Sequence, residues 1–125
     1  MRHKPATVFV GGCFNRIHKA HRRMLAAARA LGDRLVIVLS HDRHNHKSNA
    51  VPASLRLKRL EALKLADKVV VGDPDSFAGS IRREKPDIIA LGYDQRLPDE
   101  ETERLVRTLG VWVVRLPWFP GKNED

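Results

Sequence analysis

Two histidines three positions apart, His18 and His21, follow a glycine pair in the stretch Gly11-Gly12-Cys13-Phe14-Asn15-Arg16-Ile17-His18-Lys19-Ala20-His21. At that spacing on a helix, two side chains share one face. Glycines at the end of a strand let backbone come close to a ligand. The first N–H groups of a helix offer a ready anion site. Imidazole N–H donors aimed at a phosphate stabilise charge that develops during phosphoryl or nucleotidyl transfer. A second cluster, His41, His44 and His46 with Lys47, lies in a polar stretch. It reads as a solvated loop, with a metal site as the alternative. Cys13, next to Phe14, reads as a packed thiol rather than a reactive one. Trp118 and Phe119 read as packing against the last strand, with a ligand platform or a dimer contact as the alternative.

These residues need a scaffold, and the pattern of the chain supplies one. Short β-branched runs alternate with segments of helical period. Strands are expected at 7–10, 34–39, 68–71, 88–91 and 111–115, and helices at 19–31, 53–66, 76–84 and 99–109. The run Arg34-Leu35-Val36-Ile37-Val38-Leu39 is apolar almost throughout, which suits a parallel strand covered on both faces. On the second helix, Leu57, Leu60 and Leu63 are expected to face inward. The order β-α-β-α-β-α-β-α-β with short connections implies one α/β domain with a parallel sheet, core 7–116 and a tail 117–125. In such sheets ligands bind beyond the C-terminal ends of the strands, near the point where strand order reverses. That groups the loops 11–21, 40–52, 72–76 and 92–98 on one side, with a ligand expected between the Gly11 and Gly92 loops.

Composition bounds the rest. The 125 residues are 42% hydrophobic and 30% charged, a soluble globular balance. No apolar run approaches the ~18 residues of a membrane span, so no membrane partner is expected. The N-terminus lacks the apolar stretch of a signal peptide, and a cytoplasmic chain is expected. The single Cys13 excludes an internal disulfide framework and a multi-cysteine zinc site. Lys and Arg number 23 against 15 Asp and Glu, a net charge of +8 that fits an anionic partner or an Arg-rich surface. The charges are scattered, without a basic tail or an aromatic-basic motif, which disfavours nucleic acid as that partner.

The stretch GGCFNRIHKAH after a strand resembles the first signature of the cytidylyltransferase-like nucleotidyltransferases, Gly-x-Phe-Asp, two residues, then His-x-Gly-His. The resemblance continues through Leu31-Gly32-Asp33-Arg34-Leu35-Val36, Ser40-His41-Asp42 with Lys47, the helix segment that starts at Pro52 and carries Arg56, and Lys85-Pro86-Asp87-Ile88-Ile89-Ala90-Leu91-Gly92-Tyr93-Asp94-Gln95. Within that family the last segment is most like archaeal FAD synthases. The resemblance implies a single Rossmann-like domain with a five-stranded parallel sheet flanked by helices. It also implies an enzyme that joins a nucleoside monophosphate from ATP or CTP to a phosphorylated acceptor and releases pyrophosphate. FMN is the first acceptor, glycerol 3-phosphate with CTP the second and pantetheine phosphate the third. A divalent cation such as Mg²⁺ would accompany the nucleoside triphosphate, with no protein metal site. A homodimer is one option for the assembly.

Carried onto this sequence, the resemblance makes His18, His21, Lys19 and Lys47 catalytic. Gly11, Gly12, Cys13, Phe14, Asn15, Gly92, Tyr93, Asp94 and Gln95 would bind the nucleotide, and Asp42, Lys47 and Arg56 the acceptor. The sequence departs from the pattern at three places. Asn15 stands where the family has Asp, Lys19-Ala20 replaces x-Gly, and Pro117-Trp118-Phe119-Pro120-Gly121-Lys122 replaces a Ser/Thr-rich phosphate loop. Asn15 is expected to face the phosphates and make the site more positive. Those departures favour the alternative from another class, a nucleotide-binding protein without turnover. An RNA-binding module rests on the charge alone.

Overall fold

A computed structural model describes residues 4–124. Five strands, β1 (Thr7–Gly12), β2 (Arg34–Leu39), β3 (Lys68–Val71), β4 (Ile88–Leu91) and β5 (Trp112–Arg115), form one parallel sheet in the order β3-β2-β1-β4-β5. Strand β1 is central, pairing with β2 through Val8↔Leu35 and Val10↔Ile37 and with β4 through Phe9↔Ile89. Alternation along the strands sorts side chains to opposite faces. Val8, Val10, Leu35 and Ile37 pack with Leu25 of α1 (Lys19–Arg29) and Leu60 of α2 (Ala53–Leu63). Phe9, Val36, Val38 and Ile89 pack with Ile81 of α3 (Phe77–Glu84) and Val106 of α4 (Glu100–Leu109). The chain reverses direction across the sheet between β1 and β4, so the switch point lies at the C-terminal ends of those two strands.

The expected α/β architecture holds, with differences at element ends. Strand β1 runs on to Gly12 because Gly11 and Gly12 keep pairing with Val38 and Leu39. Helices α1 and α2 stop short of 31 and 66. Leu31, Leu65 and Ala66 leave the helices yet still pack on the core, which continues the helical apolar spacing past each helix end. Lys64 ends α2 in the left-handed conformation at φ 53°. Ser76 and Asp99 lie just outside their helices as caps, accepting from the amides of Gly79 at 2.9 Å and Thr102 at 2.8 Å. Within 40–52 a short 3₁₀ turn forms at Asp42–His44.

The inner stripe of α2 is Ala53, Arg56 and Leu60. Arg56 is completely buried. Its Nε donates to Val51 O at 2.7 Å, its Nη1 to Cys13 O at 2.8 Å, and its Nη2 to Ser40 O at 2.8 Å and Asp42 Oδ1 at 3.0 Å. The guanidinium fork thus ties the loop after β1, the loop after β2 and the start of α2 to one point. The acceptor role expected for Arg56 is therefore corrected: its charge faces inward and its donors are engaged within the protein.

Arg56→Lys should lower stability by on the order of 3 kcal/mol, because three ammonium donors on a flexible stem cannot span these four acceptors and carbonyls are left unmet. Chemical denaturation of both proteins measures this, and a variant within experimental error of wild type would contradict it.

Candidate active site

Helix α1 opens on His18, whose backbone N–H donates to His21 Nδ1 at 3.3 Å. The two imidazoles stack with centroids 3.7 Å apart and planes 19° from parallel. Behind them, Phe14 places its ring 5.2 Å from that of His21. Phe14 is buried although its φ of 52° lies in the left-handed region, a strained conformation for a bulky residue. A Cβ on Gly12 would come within 2.8 Å of the Phe14 ring, so the glycine there makes room for the aromatic support.

The pKa of His21 is lowered from its ordinary 6.5 to about 4, first by burial, then by His18 and by the Lys47 ammonium. At neutral pH the ring is uncharged. Because Nδ1 accepts the His18 amide, the ring proton sits on Nε2. His21 therefore offers one fixed N–H donor rather than a cation.

Lys47 owes its place to residue 15. Asn15 and Asn45 exchange side-chain hydrogen bonds at 3.0 and 2.6 Å, and Asn15 Oδ1 also accepts from the Val51 amide at 3.0 Å. Asn45 and Val51 flank the loop 46–50, so Asn15 pins both feet of the segment that carries His46 and Lys47. Both asparagines are buried. This corrects the expectation that Asn15 faces the phosphates: its amide is turned into the protein. An aspartate could accept but not donate, which gives a physical reason for the amide at this position. Asp42, expected to meet the acceptor, instead uses Oδ1 on the Ala53 amide at 2.9 Å and on Arg56. Those two contacts hold its carboxyl below the usual range.

Across the switch point, the turn 92–95 is built by Gln95 and Arg115. Gln95 Oε1 accepts from the Gly92 amide at 3.0 Å, and its Nε2 donates to Gly11 O at 2.8 Å. Arg115 Nη1 reaches the carbonyls of Gly92, Tyr93 and Gln95 at 3.3, 3.2 and 2.6 Å. The side chains of Tyr93 and Asp94 are exposed above this turn. Gln95 works as a tie between the two loops. In the sequence Arg115 is marked only by its place at the end of the last strand, beside β4.

A cavity of about 320 Å³ opens beside these loops, lined among others by Ser40, His41, His44, Asp73 and Phe77. His44 Nε2 lies 2.7 Å from Pro74 O and closes one rim. His41 Nδ1 accepts from the Arg43 amide, so the histidines of this loop do not converge. Among the described residues no group of three His, Cys, Asp or Glu side chains could hold a metal ion. Cys13 Sγ lies 3.6 Å from Ser40 Oγ, half-buried.

The start of α1 holds the largest departure from expectation. The sequence offers its first amides as an anion site, yet Lys19 N donates to Glu124 O at 2.7 Å and Ala20 N to Gly121 O at 3.3 Å. The tail has folded back onto the helix, anchored by Phe119 against the core. Trp118 stays exposed.

The family profile described as Cytidylyltransferase-like matches residues 9–125. The chain is 38% identical over 124 residues to a FAD synthase of Pyrococcus horikoshii, covering 94% of this chain and 84% of that one. It is 41% identical over 114 residues to a FAD synthase of Methanosarcina mazei, covering 88% and 76%. Among solved structures it superposes on a lipopolysaccharide core biosynthesis protein from Thermoplasma volcanium GSS1 with a TM-score of 0.82 at 31% identity, covering 94% of this chain and all of the other.

Two outcomes follow from the geometry. Asn15→Asp should cost about 1–3 kcal/mol by setting a carboxylate oxygen against Asn45 Oδ1 in a buried place, read as a lowered melting temperature. The depressed pKa of His21 has a definite sign. The unfolded chain takes up its proton near pH 6.5 and the folded chain only near pH 4, so stability falls as pH drops through that window. His21→Gln should flatten the melting temperature between those pH values, and an unchanged slope would contradict the assignment.

Proposed function

The chain belongs to the cytidylyltransferase-like family, and on that premise we propose that it is an FMN adenylyltransferase, which joins ATP and FMN into FAD and releases pyrophosphate. The observation that carries the reading is the stacked His18–His21 pair, with its fixed neutral donor, at the switch point of a chain this similar to FAD synthases. Glycerol 3-phosphate with CTP and pantetheine phosphate rank behind FMN because the curated relatives are FAD synthases.

The chemistry asks little of a base. The FMN phosphate is largely ionised at neutral pH. One of its oxygens attacks the α-phosphorus of ATP, a new P–O bond forms, and the bond from that phosphorus to the bridging oxygen breaks. Pyrophosphate leaves with the electron pair. What such a step needs is alignment and neutralisation of charge. His21 would donate Nε2–H to a phosphate oxygen, with His18 stacked behind it. Lys47, held by the Asn15 clamp, and Lys19, exposed on α1, would supply positive charge. The turn 92–95, with Tyr93 and Asp94, would meet the nucleoside. The cavity by Ser40, His44 and Phe77 would give room for the flavin end of the acceptor. That volume is at the low end of ordinary ligand sites.

Nucleotidyltransferases generally use a divalent cation with the triphosphate. The described residues do not fit a protein-held one: Asn15 is engaged inward, and no carboxylate cluster lies beside the histidines. Such a cation would arrive on the phosphates, as magnesium usually does. Among the described residues no helix is long and apolar enough to cross a membrane. We propose the cytoplasm as the protein's location, on its likeness to FAD synthases. Trp112 and Val113, exposed on the edge strand β5, are the surface a homodimer would cover. The reading without turnover draws its support from the tail lying over the start of α1.

Purified protein with ATP and FMN should form FAD and pyrophosphate in equal amounts, and CTP should replace ATP poorly. Absence of both products across a panel of nucleotides and phosphorylated acceptors would overturn the enzymatic reading, while nucleotide binding under those conditions would favour the other. His18→Ala and His21→Ala should each lower kcat by roughly 10²- to 10³-fold. Wild-type rates in both would remove the histidines from the mechanism.

A further inference from the structure

The tail that caps α1 covers the donors a triphosphate would use. Lys19 N and Ala20 N, the first two amides of the helix, end on the carbonyls of Glu124 and Gly121. Arg23 Nη1, one turn further along, donates to Pro120 O at 2.6 Å. Gly121 sits at φ 104°, and its Cα lies so close to the helix that an added Cβ would be 2.7 Å from Lys19 Cβ and 2.9 Å from Arg23 Nη1. Its carbonyl accepts the Glu124 amide at 3.1 Å as well, closing a turn that presents both carbonyls together. Upstream, Leu116 is buried and Phe119 packs on the core, whereas Pro120, Lys122, Asn123 and Glu124 are exposed. The segment is therefore hinged at its inner end and held at its outer end by three hydrogen bonds.

We propose that residues 120–124 form a displaceable strap that closes the phosphate end of the site and is expelled when the nucleotide binds. The proposal rests on the reading of the site as one for a nucleoside triphosphate. The strap's acceptors are neutral peptide carbonyls. A phosphate oxygen on the same amides forms a charge-assisted bond, roughly twice as strong. It also carries the negative charge that a helix N-terminus favours. Lifting the strap frees the Arg23 guanidinium at the same time, adding a cation where phosphate arrives. A closed strap lowers apparent affinity by the fraction of molecules in which it is open, so its strength sets the nucleotide concentration at which the site fills.

Gly121→Val in the full chain cannot seat the strap, and tests this. Its affinity for ATP and for inorganic pyrophosphate, by isothermal titration, should rise roughly three- to tenfold over wild type. Its KM for ATP should fall, with kcat changed less than twofold. In the wild-type protein, pyrophosphate should speed tryptic cleavage after Lys122, followed as loss of residues 123–125 by mass spectrometry. That arm needs no variant and stands if Gly121→Val folds poorly. Wild-type binding with equal or weaker affinity in Gly121→Val, or with cleavage slowed or unchanged by pyrophosphate, would overturn the strap and leave the functional reading in place. Failure of both proteins to bind either ligand would overturn the two together.

Discussion

A single buried guanidinium sets the shape of the C-terminal end of this sheet. Arg56 carries its charge to a place without water and meets it with three backbone carbonyls and the Asp42 carboxylate. Those carbonyls belong to the loops after β1 and β2 and to the lead-in to α2. Each would need another donor if the arginine were absent, since buried carbonyls are rarely left unmet. The Asn15–Asn45 pair and the Val51 amide then join the same loops a few residues away. Polar contacts of this kind are demanding when buried, and when fully met they hold one arrangement firmly. Here that arrangement sets the Lys47 loop against the histidines of α1.

The scaffold was legible because it follows from periodicity. Apolar runs marked the strands, Gly110 and Ser76 marked helix ends, and alternation implied a parallel sheet. The first loop was legible as chemistry because glycine, histidine and helix start coincide there. Two polar residues point inward against expectation, for a common reason. Arg56 and Asn15 are types usually met at surfaces, and sequence shows residue type more readily than direction. A signal for Arg56 did exist. It shares the helical phase of Ala53 and Leu60, the two residues of α2 buried beside it, while Leu57 and Leu63 lie only partly buried. The return of the tail onto α1 was not legible, because it depends on carbonyl positions fixed by the fold and on a positive φ at Gly121 that a lone glycine only permits.

The electrostatics of the site are milder than a net charge of +8 suggests. The histidine nearest the aromatic support is neutral, residue 15 carries no charge, and Arg56 is neutralised from within. Positive charge at the rim comes from Lys19 and Lys47, which are exposed and carry the ammonium on a long flexible stem. A fixed neutral donor at the centre, His21, and flexible cations at the edge suit a reaction whose charge shifts from one phosphate to the next without a proton transfer.

The Gln95–Gly11 tie joins residues 84 apart in the chain, and the Thr7–Asp87 bond joins residues 80 apart. Central strand β1 precedes β4 by many residues, so one whole side of it waits for β4. Closing so long a loop is entropically costly and slow compared with forming local helices. β1, α1, β2, α2 and β3, with both histidines, all precede β4 in the chain, so the wall that would face the nucleoside follows them. The side of the site that would meet the nucleoside is therefore complete only once β4 has paired with β1.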